Sequence, residues 1–151
     1  MIHLKPGDQA PEFQATDYKG NPVNPDTLRG KKTVLYFYPK DMTPGCTAEA
    51  CNLRDNYDTL LAHNYNVIGI SPDHDQSHQK FALKHQLPFP LIADTDKHIA
   101  KLFGVWGRKK FLGKEYDGIS RTTFVLDENL IITEIIDKVN TKDHTAQIIK
   151  Q

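Results

Sequence analysis

Apolar and polar residues follow two different periods along the 151-residue chain, and these periods predict strands alternating with helices. Three short runs rich in β-branched and aromatic residues predict buried strands, at residues 33–38, 67–71 and 89–94. In other segments apolar residues recur every three or four positions, which is typical of one helix face. This spacing predicts helices at residues 46–61, at 76–86 with Asp75 or Ser77 as cap, and at 98–104.

Hairpins are predicted toward both ends of the chain, and a last helix is predicted near its C-terminus. Residues 122–127 and 131–136 flank "ENL" and predict antiparallel strands, and residues 143–150 predict a helix capped by Asp143. The segment "DYKGNPV" predicts a small N-terminal β-hairpin. The alternation of strands and helices implies a mainly parallel sheet. We therefore predict an α/β fold, with a central mixed β-sheet flanked by helices, in one domain over residues 1–151.

The charge balance and the length of the apolar runs limit the classes of partner that the protein is expected to bind. Lys plus Arg and Asp plus Glu balance at 19 each, so there is no basic excess for nucleic acid or anionic lipid. The start "MIHLKPGDQAPEF" lacks the apolar core of a signal peptide, and no apolar run approaches the roughly 20 residues of a membrane helix. We therefore expect a soluble cytoplasmic protein that binds neither nucleic acid nor membrane.

Both cysteines lie in "TPGCTAEAC", where a helix is predicted to begin. Thr43 is a candidate cap and Pro44 suits a first turn, so Cys46 is expected at a helix N-terminus, where free N–H groups and the helix dipole favour a thiolate. In a reducing compartment cysteines are more often catalytic, redox-active or metal-binding than structural. Cys46 is therefore the candidate reactive thiol.

The spacing of the two cysteines excludes a disulfide within an intact helix. Five residues of helix place the two Cα atoms roughly 8.6 Å apart, whereas a disulfide requires less than about 7 Å. The spacing permits a reactive first thiol and a second that reaches it after a helical turn unwinds, which suits a sulfenic acid intermediate. The alternative for Cys51 alone is a small buried apolar residue.

A zinc site is a further alternative. His74 and His78 have H-x3-H spacing and would complete four ligands with Cys46 and Cys51. The match is loose, because 22 residues separate Cys51 from His74 where a zinc finger has about 12, and a strand is predicted between them. We expect the two histidines at the start of an exposed helix instead.

The segment "PKDMTPGC" has the P-x-x-x-T-x-x-C spacing of the peroxiredoxin active site, so the chain resembles that family. A second cysteine five residues after the first resembles the bacterioferritin comigratory protein, or Q-type, branch. The resemblance continues through "GDQAPEF", "GISPD", "FGVWG" and "GKEYDGISRTTFVLD". It implies a thioredoxin-like fold and reduction of hydrogen peroxide and organic hydroperoxides, with no organic cofactor and no metal.

The resemblance also implies roles for individual residues. Cys46 matches the peroxidatic nucleophile, Thr43 would hydrogen-bond the thiolate and the peroxide, and Pro39 would shield the pocket from water. Arg121 matches the active-site arginine, whose charge would stabilise the thiolate and polarise the peroxide. Cys51 matches the resolving cysteine, which implies a Cys46–Cys51 disulfide during turnover.

Further expectations concern the surroundings of this site. Glu49 is expected either to bond the arginine or to face solvent, and Trp106 and Tyr116 are expected to pack or to form the apolar rim of the substrate approach. The implied reductant is thioredoxin or a glutaredoxin-like donor, and the expected state is a monomer, with a dimer as the alternative. A non-enzymatic redox sensor using the same disulfide remains the competing function.

Overall fold

The computed structural model describes residues 2–150, and its centre is a five-stranded mixed sheet in the order β5-β4-β3-β8-β9. Strands β3, β4 and β5 are parallel, whereas β8 is antiparallel to both β3 and β9. This arrangement confirms the predicted mixed sheet. The strands are β1 (Ala15–Thr16), β2 (Pro22–Val23), β3 (Lys32–Phe37), β4 (Tyr65–Ser71), β5 (Leu91–Ala93), β6 (Trp106–Phe111), β7 (Lys114–Ile119), β8 (Thr122–Leu126) and β9 (Ile132–Ile136).

Helices cover both faces of the sheet. They are α1 (Pro25–Leu28), α2 (Pro44–Asp55), α3 (Tyr57–Ala62), α4 (Asp75–His85), α5 (His98–Leu102) and α6 (His144–Ile148). The buried residues of α2, α3, α4 and α6 share one apolar cluster, whereas those of α1 and α5 belong to the other. Of the helices within residues 2–150, none combines the length and the apolar character that a membrane span requires.

The central strand β3 divides the core by simple alternation. Leu35 and Phe37 point into the cluster on the α5 side, and Val34 and Tyr36 point into the cluster on the α2 side. All four are fully buried, because helices cover the strand on both faces. This burial holds the C-terminal end of β3 rigidly, and the residues that follow it enter the predicted active site.

Two small hairpins lie outside the central sheet. The pair β1–β2 confirms the predicted N-terminal hairpin, whereas the pair β6–β7 was not predicted. This second hairpin is mostly exposed and rich in lysine, so it lacks the alternation of apolar residues that identifies a half-buried strand. Its turn has positive φ at both Leu112 and Gly113. Such turns usually carry Asn or Asp before Gly, so the leucine at position 112 did not indicate a turn in the sequence.

Two helix boundaries differ from the prediction. The helix predicted over 46–61 divides at Asn56, whose side chain donates to the Asn52 carbonyl oxygen at 2.8 Å. Helix α4 has His74 at its N-cap position, and the hydroxyl of Ser77 bonds Asp41 instead of capping. Asp143 does occupy the N-cap position of α6, but its side chain makes no capping hydrogen bond. Ser77 thus bonds a residue of another segment, whereas Asn56 bonds the last turn of the helix that it ends.

Candidate active site

Cys46 lies in the first turn of α2, just beyond the C-terminal end of β3. The helix begins at Pro44, because proline in a first turn has no N–H to leave unpaired and has a suitable φ. The first intrahelical bond runs from the Thr47 N–H to the Thr43 carbonyl oxygen, so the N–H of Cys46 precedes the helical ladder. The Cys46 side chain is 1% exposed and lies at the positive end of the helix dipole.

Arg121 contacts the sulfur of Cys46 from the neighbouring strand. Its Nη2 donates to Cys46 Sγ at 3.1 Å, and its Nη1 donates to Glu49 Oε1 at 2.7 Å. The sheet register explains the approach, because Thr122 of β8 pairs with Phe37 of β3 and thereby places Arg121 beside the end of β3. Burial opposes the charge of Arg121, but the charges of Cys46 and Glu49 raise its pKa.

Gly45 leaves room for this guanidinium. A Cβ atom at position 45 would lie 3.2 Å from Arg121 Nη2, which is closer than ordinary van der Waals contact. The glycine of "TPGC" therefore permits the close approach of the arginine to the first turn of the helix.

Glu49 lies one turn after Cys46 and is fully buried. Of the two expectations for this residue, the contact with Arg121 is observed. Burial raises the pKa of Glu49 to about 7, although the charge of Arg121 and its hydrogen bond lower it. The second oxygen, Oε2, has no hydrogen-bond partner among residues 2–150 and lies 3.5 Å from Nε2 of the buried His144.

The hydrogen-bond network assigns the tautomer of His144. Gln147 Oε1 accepts from the Asn140 N–H at 2.9 Å, so the same oxygen accepts the Nδ1–H of His144 at 2.7 Å. The other nitrogen, Nε2, then accepts the hydroxyl proton of Thr123 at 2.7 Å. Burial lowers the pKa of His144, which agrees with a neutral ring. A neutral Nε2 carries no proton to donate to Glu49 Oε2, so it does not offset the burial that raises the pKa of Glu49.

Thr43 and Pro39 lie in the loop between β3 and α2. The Thr43 hydroxyl donates to the Lys40 carbonyl oxygen at 2.8 Å, and it neither caps the helix nor bonds Cys46. Pro39 is half-buried directly after the last core residue, Tyr38. The loop thus brings both residues to the helix start that holds Cys46.

A buried polar network anchors this loop, and the sequence analysis did not identify it. Asp41 is almost fully buried and accepts from the Tyr38 hydroxyl at 2.6 Å and from the Ser77 hydroxyl at 2.8 Å. His78 Nδ1 lies 2.8 Å from the same carboxylate, and its Nε2 donates to the Ile92 carbonyl oxygen at 3.0 Å. These bonds tie the loop to α4 and β5, and they compensate for the burial of Asp41.

The same network corrects the prediction for the two histidines. His74 is exposed at the start of α4, as expected, but His78 is fully buried although it lies on the first turn. Within residues 2–150, the one group of three possible metal ligands is Asp41, Asp73 and His78, which includes neither cysteine. The four residues of the zinc alternative are therefore not brought together.

Cys51 lies on α2 with Cys46, and the two thiols are free. The intact helix agrees with the geometric argument that no disulfide forms in this state. Cys51 is half-buried, and its sulfur lies 3.8 Å from Nδ1 of His85 at the end of α4. The sequence analysis did not identify His85, because it lies on another helix.

Trp106 and Tyr116 lie on the exposed hairpin β6–β7. Trp106 is half-buried and packs against the apolar cluster on the α5 side. Tyr116 is 43% exposed, so it packs little. The expectation of packing therefore holds for Trp106 and not for Tyr116.

Comparisons with known proteins agree with this site. Residues 6–135 match the model of the AhpC/TSA family. The chain is 45% identical to "Peroxiredoxin Bcp" of Escherichia coli K12 over 144 residues, which cover 95% of this chain and 92% of the relative. It is 44% identical to "Peroxiredoxin Bcp" of Bacillus subtilis, with the same two coverages.

Solved structures share the fold over nearly the whole chain. The crystal structure of peroxidoxin BcpB from Mycobacterium tuberculosis has a TM-score of 0.84 and 34% identity, covering 96% of this chain and 94% of that one. A cysteine-to-serine variant of PrxQ from Xylella fastidiosa has a TM-score of 0.90 and 28% identity, covering 98% and 94%. The chain therefore belongs to the AhpC/TSA family of thioredoxin-like proteins, among the Bcp and PrxQ peroxiredoxins.

Proposed function

We infer that the chain is a thiol peroxidase that reduces hydrogen peroxide and organic hydroperoxides to water and alcohols. The observation that carries this proposal is the 3.1 Å contact between Arg121 and the sulfur of Cys46 at a helix N-terminus. Two positive groups at one buried sulfur stabilise the thiolate, which is the nucleophilic form of cysteine. A related structure, of the Xanthomonas campestris bacterioferritin comigratory protein, concerns alkyl peroxide reduction, which agrees with this substrate class.

In the proposed first step the Cys46 thiolate attacks one peroxide oxygen. The O–O bond breaks, Cys46 becomes a sulfenic acid, and the departing oxygen takes a proton and leaves as water or alcohol. Arg121 stabilises the negative charge as it moves from sulfur to oxygen. We assign peroxide binding to Thr43, whose hydroxyl would rotate away from the Lys40 carbonyl, and exclusion of water to Pro39.

In the proposed second step Cys51 attacks the sulfenic acid and forms a disulfide with Cys46. Helix α2 must unwind locally before this bond can form. The contacts of its residues indicate which part unwinds. Asn52 bonds the Lys142 carbonyl oxygen at 3.2 Å and the Thr145 N–H at 2.8 Å, both near α6. Leu53 is fully buried, and its exposure would cost about 1.5–3 kcal/mol. Unwinding that stops before Cys51 keeps both interactions, so we place the mobile part at residues 44–50.

The proposed cycle closes when a dithiol donor reduces the disulfide. Thioredoxin or a glutaredoxin-like protein is the proposed donor, and the cycle requires thiols alone, with neither organic cofactor nor metal. We propose a monomeric, single-domain protein of the cytoplasm. Two free cysteines suit such a reducing compartment, and the packing of both apolar clusters on one central sheet supports one domain over the described residues.

Protonation of Glu49 would strengthen the net attraction between Arg121 and the Cys46 thiolate, because Glu49 would no longer compete as a second anion. When Glu49 is ionised, the guanidinium bonds two anions, and when Glu49 is neutral it faces the thiolate as its one anionic partner. Because Glu49 Oε2 is buried and has no donor among residues 2–150, the folded protein keeps this proton to a higher pH than a free carboxyl does.

Serine variants of the two cysteines test the function. Cys46→Ser should abolish peroxide consumption with every reductant, since the nucleophile is lost. Cys51→Ser should still form a sulfenic acid at Cys46, and it should lose turnover with thioredoxin while dithiothreitol restores part of it. Steady-state assays with each reductant measure both effects. Full turnover of the Cys46→Ser enzyme would contradict the assignment, and sulfenic acid formation without any turnover in the wild type would favour the redox sensor.

Loss of the arginine should slow the peroxide step. Arg121→Ala should lower the rate constant of Cys46 oxidation by about tenfold to a hundredfold, which corresponds to about 1–3 kcal/mol. Arg121→Lys should recover part of this loss, because lysine lacks the planar fork that bonds Cys46 and Glu49 together. Stopped-flow mixing with peroxide measures the rate. The control is Arg108→Ala on the exposed hairpin, and equal rates in all four proteins would refute the role of Arg121.

Oxidation should unwind the start of α2. Amide hydrogen exchange of residues 47–54, whose N–H groups bond the carbonyl oxygens of residues 43–50 in the intact helix, should rise when the disulfide forms, while β3 and β4 stay protected. Exchange followed by mass spectrometry on reduced and peroxide-treated protein measures this change. The Cys51→Ser protein is the control and should show no rise. Unchanged protection in protein that carries the intramolecular disulfide would exclude local unwinding.

The buried carboxyl should make stability depend on pH. The folded-state pKa of Glu49, about 7, exceeds the unfolded value near 4.5, so the folded state holds more protons between these pH values. The free energy of unfolding should therefore fall by about 3 kcal/mol as pH rises from 4.5 through 7, and Glu49→Gln should remove this fall. Urea unfolding at a series of pH values measures it. Glu115→Gln, an exposed control, should behave as wild type, and parallel curves for Glu49→Gln and wild type would disprove the argument.

A further inference from the structure

Cys51 has a basic neighbour that the proposed cycle does not yet use. Its sulfur lies 3.8 Å from His85 Nδ1, which is within hydrogen-bond range for sulfur. Arg54, one turn after Cys51, donates from Nη1 to the His85 carbonyl oxygen at 2.7 Å. The end of α4 is thereby held against the face of α2 that carries Cys51.

The His85 ring is suited to accept a proton from this thiol. It packs edge-on against Phe81, with ring centroids 5.4 Å apart, so its plane is held while one side of the half-buried ring meets solvent. Burial lowers the pKa of His85, and the charges of Lys84 and Arg54 lower it further. The ring is therefore neutral near pH 7, and in the tautomer that carries its proton on Nε2 the Nδ1 atom can accept the proton of the Cys51 thiol.

We propose that His85 is the general base that deprotonates Cys51 for the attack on the Cys46 sulfenic acid. The positive charge of Arg54, on the same helix face, stabilises the Cys51 thiolate that results. This assignment rests on the proposed function, in which Cys51 is the resolving thiol. It adds a catalytic residue for the second step and has no part in the first.

The step balances in atoms and charge. The Cys51 S–H proton moves to His85 Nδ1, and the thiolate attacks the sulfur of the Cys46 sulfenic acid. The S–S bond forms as the S–O bond breaks, and the departing hydroxide takes one proton, from the imidazolium or from solvent, to leave as water. Cys51 is oxidised to the disulfide level, the peroxide oxygen is released as water, and His85 returns to its neutral form.

The contacts on either side of Cys51 make this step compatible with the unwinding of α2. The residues that follow Cys51 are anchored, since Asn52 bonds α6 and Arg54 bonds the end of α4. The residues that precede it include Cys46, which must move toward Cys51 when the first turns unwind. The Cys51 thiol can therefore stay beside His85 until the sulfenic acid arrives.

The rate of disulfide formation tests the assignment. A thiol with an ordinary pKa of about 8.5 is about 3% ionised at pH 7, so the loss of a base can slow the reaction by at most about 30-fold through ionisation. His85→Gln should slow disulfide formation by about 10- to 30-fold and leave the oxidation of Cys46 within twofold of wild type. Rapid mixing with peroxide, acid quench, thiol alkylation and mass spectrometry measure the sulfenic acid and the disulfide separately.

Two further measurements distinguish a base from a structural residue. Added imidazole should restore disulfide formation in His85→Ala. In His85→Gln, the rate of disulfide formation should no longer fall at acidic pH. The charged groups that surround this titration are Arg54 with its partner Asp55, and Lys84. His98→Gln, an exposed histidine on α5, is the matched control and should match wild type in every measurement.

Each remaining outcome has a defined meaning. Disulfide formation within twofold of wild type in His85→Gln, no rescue by imidazole, or equal slowing of both steps would overturn the role of His85. Cys51→Ser separates this failure from failure of the proposed function. If Cys51→Ser retains full thioredoxin-dependent turnover, Cys51 is not the resolving thiol; if it loses turnover while His85→Gln is unaffected, Cys51 resolves without His85.

Discussion

The proposed chemistry of this protein depends on one half-buried guanidinium shared by a thiol and a carboxyl. Arg121 bonds Cys46 with one nitrogen and Glu49 with another, at distances of 3.1 and 2.7 Å. Because the site is largely closed to water, these contacts are weakly screened, and each group sets the charge of the others. A cation with two donors in a fixed plane can orient toward sulfur and oxygen together, which a lysine ammonium does not do.

The rest of the fold holds this constellation in place. Antiparallel pairing of β8 with β3 brings Arg121 beside the end of β3. The turn that follows β3 leads into α2, the next element along the chain. The turn is anchored by Asp41 through its bonds with Tyr38, Ser77 and His78. A buried, fully bonded network of this kind has few alternative arrangements, so it keeps the start of α2 in register with the sheet.

In the proposed cycle the same helix is ordered for the first step and partly unwound for the second. Its two ends are held by different interactions. The first turns are tied to the sheet through Cys46 and Glu49, which contact Arg121, whereas the later turns are tied to α4 and α6 through Arg54 and Asn52. Oxidation of Cys46 replaces the thiolate, so it weakens the contact that holds the first turns. The proposed movement is therefore confined to the first turns of α2, where the reacting residue Cys46 itself contacts Arg121.

The sequence by itself determined the strands of the central sheet, the N-terminal hairpin, most helices and the place of Cys46 at a helix start, because these follow from local periodicity and from proline and glycine chemistry. The family resemblance added Arg121 as a candidate, because a lone arginine before a strand would not by itself have indicated an active-site residue. Only the tertiary structure decided the burial of Glu49 and His78 and the contact of Cys51 with His85. Arg121 and Cys46 are 75 residues apart, Asp41 and His78 are 37, and Cys51 and His85 are 34. Such pairs depend on sheet register and helix packing, which no local pattern of polar and apolar residues specifies.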